Sequence, residues 1–149
     1  MRSVVQRVDR AEIRVGEKCI SLIEKGILVL LGIQQKDEER DADYLSDKII
    51  HLRIFEDEKG KMNRSLLDIR GEMLVVSQFT LLGDCRKGRR PSFTEAENPD
   101  RARVLYNYFI NKSKEKVKCC AEGEFQAMMS VELINNGPVT ILLDSRRSF

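Results

Sequence analysis

Residues 1–33, MRSVVQRVDRAEIRVGEKCISLIEKGILVLLGI, contain four successive β-strand patterns. Over residues 3–8 a period of two places Val4, Gln6 and Val8 on one face and Ser3, Val5 and Arg7 on the other, and residues 12–15 repeat this strand period. Residues 19–23 predict a third strand. The run at 27–33 is apolar except for Gly32, which is typical of a strand covered on both faces. We therefore expect an N-terminal meander of β-strands.

Helical and strand patterns alternate in the rest of the chain. From Asp41 the apolar residues recur at helical spacing, and Asn98 followed by Pro99 predicts the N-cap and first turn of a second helix. Residues 73–79 predict another buried strand, and 125–133 and 139–143 predict two more, joined by a hairpin turn at 135–138. This order predicts an α+β fold with a mostly antiparallel, barrel-like curled sheet and two main flanking helices.

Length and charge limit the classes of function. A chain of 149 residues and 17.2 kDa is expected to form one domain over residues 1–149. Its formal net charge of +2 provides no global field for nucleic acid, so any anion site must be local. The run at 27–33 is much shorter than the about 20 residues of a membrane helix. The N-terminus also lacks a signal-peptide pattern, and we expect a cytoplasmic protein that does not bind membranes.

The sequence lacks the residues needed for a metal site or for catalysis by histidine. The four cysteines contain no C-x-x-C spacing and the chain has a single histidine, His51, so we expect no metal and no cofactor. His51 lies at the edge of the apolar stripe of the first predicted helix, which favours a boundary residue over a catalyst. Neither a G-x-S-x-G elbow nor a phosphate-binding loop is present. An enzyme with this sequence would work without histidine.

One loop carries a concentrated positive charge. Arg86, Lys87, Arg89 and Arg90 are four cations within five residues, between two ordered elements. They predict contacts with several phosphates of a folded RNA, and the alternative is a solvated loop without a ligand.

A first polar cluster, Ser77-Gln78-Phe79-Thr80, interrupts the end of a predicted strand. A regular strand places Ser77 and Phe79 on one face and Gln78 and Thr80 on the other, so the four side chains converge only if the strand bends. The alternative is a strand end with local hydroxyl hydrogen bonds. Thr80 is a candidate nucleophile, but no base is evident beside it.

A second polar cluster, NNGPVT, occupies residues 135–140. Its Asn-Gly pair is typical of a hairpin turn, although Pro138 directly afterwards removes a backbone donor. A cis bond before Pro138 is an alternative that the local sequence does not establish.

Both clusters, with residues 1–8, 61–66 and 86–93, closely resemble the D-aminoacyl-tRNA deacylases, also called D-tyrosyl-tRNA deacylases. The resemblance runs from residue 1 to about 145, and Asn136 stands where an acidic residue is common in that family. It implies a homodimer that hydrolyses the ester between a D-amino acid, or glycine, and the 3′-terminal adenosine of tRNA. The expected partners are therefore tRNA and a second copy of the chain, and not DNA.

The resemblance also implies roles for particular residues. Gly137 and Pro138 would form a cis pair that projects into the other subunit's site, where their carbonyls locate the α-amino group and an L side chain is excluded. Arg7 would support this motif. Asn135, Val139 and Thr140 complete the substrate-binding motif.

The catalytic cluster implied by the resemblance is Ser77, Gln78, Phe79 and Thr80, with Phe79 lining the adenosine pocket. Two mechanisms remain open, a Thr80 nucleophile and an oxyanion held by backbone N–H groups while the 2′-OH of the tRNA activates water. We favour the second. Two other functions remain alternatives, an L-serine editing module like those of threonyl-tRNA synthetases and a non-catalytic tRNA-binding domain.

Overall fold

The computed structural model describes residues 1–148 and has an α+β architecture. Its elements, in chain order, are β1 (Arg2–Val15), β2 (Lys18–Ile23), β3 (Gly26–Gly32), α1 (Glu39–Ile50), β4 (Phe55–Glu56), β5 (Met62–Arg64), α2 (Leu66–Ile69), β6 (Glu72–Ser77), a 3-10 helix (Phe79–Leu82), α3 (Pro99–Lys114), β7 (Cys120–Glu122) and β8 (Ser130–Asp144). The expected curled sheet with two main flanking helices is confirmed.

The main sheet is organised around β1, which is long enough to pair with three strands. The order is β2-β1-β3-β6-β7, and β8 runs antiparallel along almost the whole of β1. The N-terminal half of β1 pairs with β3 and its C-terminal half with β2, both antiparallel, which curls the sheet. The β3–β6 and β6–β7 pairs are parallel, because α1 and α3 lie in the crossover connections that parallel neighbours require.

Several strand boundaries differ from the sequence prediction. Residues 3–8 and 12–15 belong to one strand, β1. Residues 125–129 lie outside the strands, and β8 begins only at Ser130. The predicted hairpin at 135–138 is wrong, since Asn135 pairs with Val8 and Thr140 pairs with Gln6 on the same strand. The intervening residues 136–139 therefore bulge out of β8 without reversing its direction.

The helices cover one face of the sheet. As predicted, α3 begins at Pro99 after the Asn98 cap, whose side chain accepts a hydrogen bond from the backbone N–H of Arg101 at 3.1 Å. The buried Tyr106 hydroxyl donates to the Val75 carbonyl at 2.9 Å and ties α3 to β6. A second, smaller apolar cluster lies on the opposite face of the sheet. Central strands such as β3 are thus buried on both faces, as their apolar run predicts.

The outer edge of the sheet is β8. Among residues 1–148, β8 pairs only with β1, and its side chains stay partly or fully exposed until Asp144. Ile134 and Leu142 are 58% and 59% exposed, which is high for apolar residues of a 15-residue strand. Edge strands of this length and character are usually covered by another chain or element. Within the described part of the chain, no helix combines the length and apolar character needed to cross a membrane.

Candidate functional site

The first candidate cluster lies where β6 ends and the chain changes direction. The Gln78 N–H still donates to the Leu31 carbonyl at 2.8 Å, but Phe79 already belongs to the 3-10 helix. The predicted strand over 73–79 therefore ends at Ser77, two residues early. In this turn the Gln78 Nε2 donates a hydrogen bond to the Thr80 Oγ1.

This arrangement supplies donors rather than a base. The Phe79 and Thr80 N–H groups stand at the start of the 3-10 helix, where the first amides have no acceptor within the helix. Thr80 has an amide group as its side-chain partner, and an amide cannot take a proton from a hydroxyl at neutral pH. The geometry therefore suits binding of an oxyanion better than activation of Thr80.

A cleft of about 760 Å³ opens beside this cluster. Its walls come from residues 77–80, from 96–102 at the start of α3, and from 125–131 before and within β8. Phe79 is 56% exposed, and its ring packs edge-on against Phe93 with centroids 5.1 Å apart. A partly exposed ring held in this way can stack on a nucleobase. The other large apolar lining residues are Ile33, Val76, Phe125, Met128, Met129 and Val131.

The second candidate cluster is the bulge of β8. The Gly137–Pro138 peptide bond is cis, and both residues are exposed. Gly137 has φ of +127°, and a Cβ atom there would lie 2.8 Å from both the Arg7 Nη2 and the Val139 Cγ2. Only glycine fits this position without displacing its neighbours.

Two side chains support the bulge, Arg7 from β1 and Asn135 from β8 itself. Arg7 is 6% exposed, and its guanidinium donates to the carbonyls of Asn136 at 3.0 Å and Ile54 at 2.6 Å. The Asn135 side chain accepts from the Val139 N–H at 2.8 Å. It also donates to the Thr140 hydroxyl at 3.1 Å. These bonds replace the ladder that the bulge interrupts.

Sequence reasoning missed two partners of the bulge. Ile54 contributes its carbonyl to Arg7, and Asp9 accepts a hydrogen bond from the Asn136 Nδ2 at 2.7 Å. A signal for Asp9 was present, because it lies two residues after Arg7, and the period of a regular strand places such residues on the same side. The role of Ile54 could not be predicted from its residue type, because every residue has a backbone carbonyl that can accept such a bond.

The structure does not bring the two clusters together within one chain. None of residues 135–140 lines the cleft beside Phe79 and Thr80.

The basic loop is closed by backbone pairing of Asp84 with Ser92. Arg86 donates to both carboxylate oxygens of Asp84 at 2.9 and 2.7 Å, and these bonds lower the pKa of Asp84 to about 2. Arg86 therefore forms an ion pair with an acidic residue of its own loop. The other cations are exposed and have no ion-pair partner in residues 1–148: Lys87, Arg89 and Arg90.

The remaining reactive side chains lie away from the cleft. His51 caps the C-terminal end of α1, is exposed and contacts Asp47. The cysteines are free, and burial raises the pKa of Cys120 to about 11. No group of three or more potential metal-binding side chains occurs in the described residues.

Fold and site together define an α+β protein with a cleft of about 760 Å³, the first backbone amides of a 3-10 helix at its rim, and an exposed glycine–proline bulge that Arg7 and Asn135 support. The family model described as D-Tyr-tRNA(Tyr) deacylase matches residues 4–144, and the chain belongs to this family. The resemblance found in the two polar clusters is thereby confirmed.

Individual relatives agree with the family. A protein of Syntrophus aciditrophicus (strain SB) named D-aminoacyl-tRNA deacylase is 64% identical over 149 residues, covering 100% of both chains. The solved structure titled "c-Myc DNA Unwinding Element Binding Protein" has a TM-score of 0.92 and 42% identity, covering 97% of this chain and 98% of its own. A structure titled as a "probable eukaryotic D-amino acid tRNA deacylase" has a TM-score of 0.80 over 95% and 97% of the two chains. At 17% identity it supports the fold alone.

Proposed function

We propose that this protein hydrolyses the ester between a D-amino acid, or glycine, and the 3′-terminal adenosine of tRNA, and leaves L-aminoacyl-tRNA intact. The products are free tRNA and the free amino acid, and residues 1–149 act as one deacylase domain. The observation that carries the proposal is the exposed Gly137–Pro138 segment, held in place by the buried Arg7, in a chain of the deacylase family.

Chirality is tested by backbone rather than by side chains. The carbonyls of Gly137 and Pro138 accept hydrogen bonds from the α-amino group of the substrate and fix its position. An L side chain would then point into the segment and clash, whatever its chemical nature. The support from Arg7 and Asn135 keeps the segment from yielding to that clash.

The active unit is a homodimer. Gly137 and Pro138 do not line the cleft of their own chain, so a second copy must bring them to it. The edge of β8 that has no strand partner among residues 1–148, with Ile134 and Leu142 exposed, is the surface on which that copy docks.

Catalysis relies on backbone donors and the substrate's own hydroxyl. The terminal adenine stacks on Phe79, and the N–H groups of Phe79 and Thr80 stabilise the negative charge on the attacked carbonyl oxygen. Water, activated by the 2′-OH of the tRNA, attacks the carbonyl carbon. The bond to the 3′ oxygen then breaks, and a proton passes to that oxygen. Gln78 orients Thr80, and Ser77 borders the cleft.

Thr80→Ala distinguishes this mechanism from a threonine nucleophile. We expect the variant to keep a rate of the same order of magnitude as the wild type, because the backbone donors remain. An aminoacyl ester trapped on Thr80 in single-turnover reactions would refute the mechanism.

The decisive experiment is deacylation of D-Tyr-tRNA and L-Tyr-tRNA side by side in buffer containing a metal chelator. Rapid loss of only the D-ester supports the proposal and a reaction without metal or other cofactor. His51→Ala is the matched control, and it should retain full activity because the exposed imidazole lies outside the cleft. Cleavage of L-Ser-tRNA instead would identify an L-serine editing module.

Subunit mixing tests the dimer separately. Gly137→Asp and Phe79→Ala damage different halves of the composite site, so each homodimer should be inactive. Exchanging subunits regenerates one intact site per heterodimer and about a quarter of the wild-type activity. Two variants that stay inactive after exchange would show that each chain works alone.

Nucleic-acid binding without catalysis is the second candidate. One observation favours it, the 42% identical structure whose title names a DNA-element binding protein. Lys87, Arg89 and Arg90 would supply phosphate contacts in that case, as they would for tRNA under the first proposal. Equal binding of charged and uncharged tRNA with turnover of neither would favour this candidate. The deacylase proposal includes a cytoplasmic location, because aminoacyl-tRNA is made there.

A further inference from the structure

Asn136 directly precedes the Gly137–Pro138 segment and is held twice by β1. Its main-chain carbonyl accepts from the Arg7 Nε at 3.0 Å, and its side-chain Nδ2 donates to the Asp9 Oδ1 at 2.7 Å. Arg7 and Asp9 are two residues apart on β1, and both reach Asn136 although the pairing register with β8 shifts on either side of Val8. Both the main chain and the side chain of Asn136 are therefore fixed from one rigid element.

We propose that Asp9 is a positioning residue for the Gly137–Pro138 segment, and that residues 9 and 136 must form one acceptor and one donor. The inference rests on the proposed deacylase function. Residues 136–139 have no ladder partner on β1, so side-chain bonds such as those of Arg7 and Asp9 to Asn136 help to set how far the exposed Gly137–Pro138 segment projects. Asp9 acts at a distance from the substrate, through Asn136.

The charges around this pair are balanced. A polar pocket of about 300 Å³ behind the segment is lined by three cationic residues, Arg7, Lys25 and Arg64, and three acidic ones, Asp9, Glu56 and Asp57. Arg7 and Arg64 already donate to backbone carbonyls. A second carboxylate at position 136 would give the pocket an acidic excess and would face Asp9 at hydrogen-bond distance.

Asn136→Asp is the informative change, because its effect depends on pH. At low pH the two carboxyl groups share a proton, and an O–H donor replaces the amide. As the pH rises through the raised upper pKa of this pair, both groups ionise and repel each other. Relative to the wild type at each pH, we expect D-Tyr-tRNA deacylation by the variant to fall on the order of tenfold between about pH 5 and about pH 8.

The exchange variant Asp9→Asn/Asn136→Asp restores the donor–acceptor pair in the opposite direction. We expect it to recover most of the wild-type rate, to lose the pH-dependent defect and to keep discrimination against L-Tyr-tRNA. Asp9→Ala should lower the rate by a factor that does not change with pH, because it removes the acceptor without adding a charge.

Glu56→Gln/Asn136→Asp is the matched control for net charge. It has the same formal charge as the exchange variant. Glu56 lies 4.0 Å from the Arg7 Nη2 and makes no bond to Asn136, so its replacement should not rescue activity. Urea unfolding of each variant shows that the compared proteins are folded.

Two outcomes separate the inference from the proposed function. An active wild type, with equal rescue by Glu56→Gln and Asp9→Asn or with no rescue by either, would overturn the positioning role alone. A wild type that leaves the D-ester intact would overturn the proposed function and, with it, the role of Asp9 in catalysis.

Discussion

Replacing Arg7 by Met removes the guanidinium while keeping much of the buried stem. The bond to the Ile54 carbonyl is buried and the bond to the Asn136 carbonyl is partly buried. Loss of a charge-assisted bond with its acceptor left in place costs roughly 1.5–3 kcal/mol in the first case and less in the second. We expect the free energy of unfolding to fall by about 2–5 kcal/mol in all. That loss is within the about 5–15 kcal/mol available to a folded domain.

The assay combines urea unfolding with deacylation of D-Tyr-tRNA under conditions where each variant is folded. Ile49→Ala is the stability control, because Ile49 is buried in α1, lines neither pocket of the site and should cost about 2–5 kcal/mol. We expect Arg7→Met to lose activity as well as stability, and Ile49→Ala to lose stability alone. Equal activities in the two folded variants would refute the claim that Arg7 positions the bulge.

Three further results are expected. Gly137→Ala should lower stability by about 1–3 kcal/mol and reduce activity beyond that of Ile49→Ala, because its Cβ would lie 2.8 Å from a guanidinium nitrogen at a positive φ. Replacing Arg89 and Arg90 by Gln should flatten the slope of log affinity for tRNA against log salt by about 1.5 units, whereas Arg86→Gln should leave it almost unchanged. NMR titration should give Asp84 a midpoint at about 2, so its ion pair persists through mild acid and is lost only as the pH falls through that value. In Arg86→Gln the midpoint should return toward 3.8.

Local patterns predicted much of the fold because they report burial. The apolar run at 27–33 identified a strand covered on both faces, and Asn98 with Pro99 located the start of α3. The parallel direction of the β3–β6 pair could not be predicted, because a strand buried on both faces has the same apolar pattern whether its neighbour is parallel or antiparallel.

The bulge of β8 shows why local rules fail at a site. Asn136-Gly137 is a strong hairpin signal, yet both flanks of the segment pair with β1 in one direction. The constraint comes from a strand more than 120 residues away, in the bonds of Arg7 and Asp9 to Asn136. The local preference of Asn-Gly for a turn stabilises the chain less than the backbone hydrogen bonds between β1 and β8 on both sides of the bulge.

The sequence by itself determined the strand and helix patterns, the absence of a histidine-based triad and, through two separated motifs, the family. Only the tertiary structure decided that Arg86 pairs with Asp84, that Gln78 donates a hydrogen bond to Thr80, and that Gly137 and Pro138 do not line the cleft of their own chain. The physical reason is that residue types and spacing report local preference and burial. Hydrogen-bond partners and the direction of a projecting segment depend on which distant strands become neighbours.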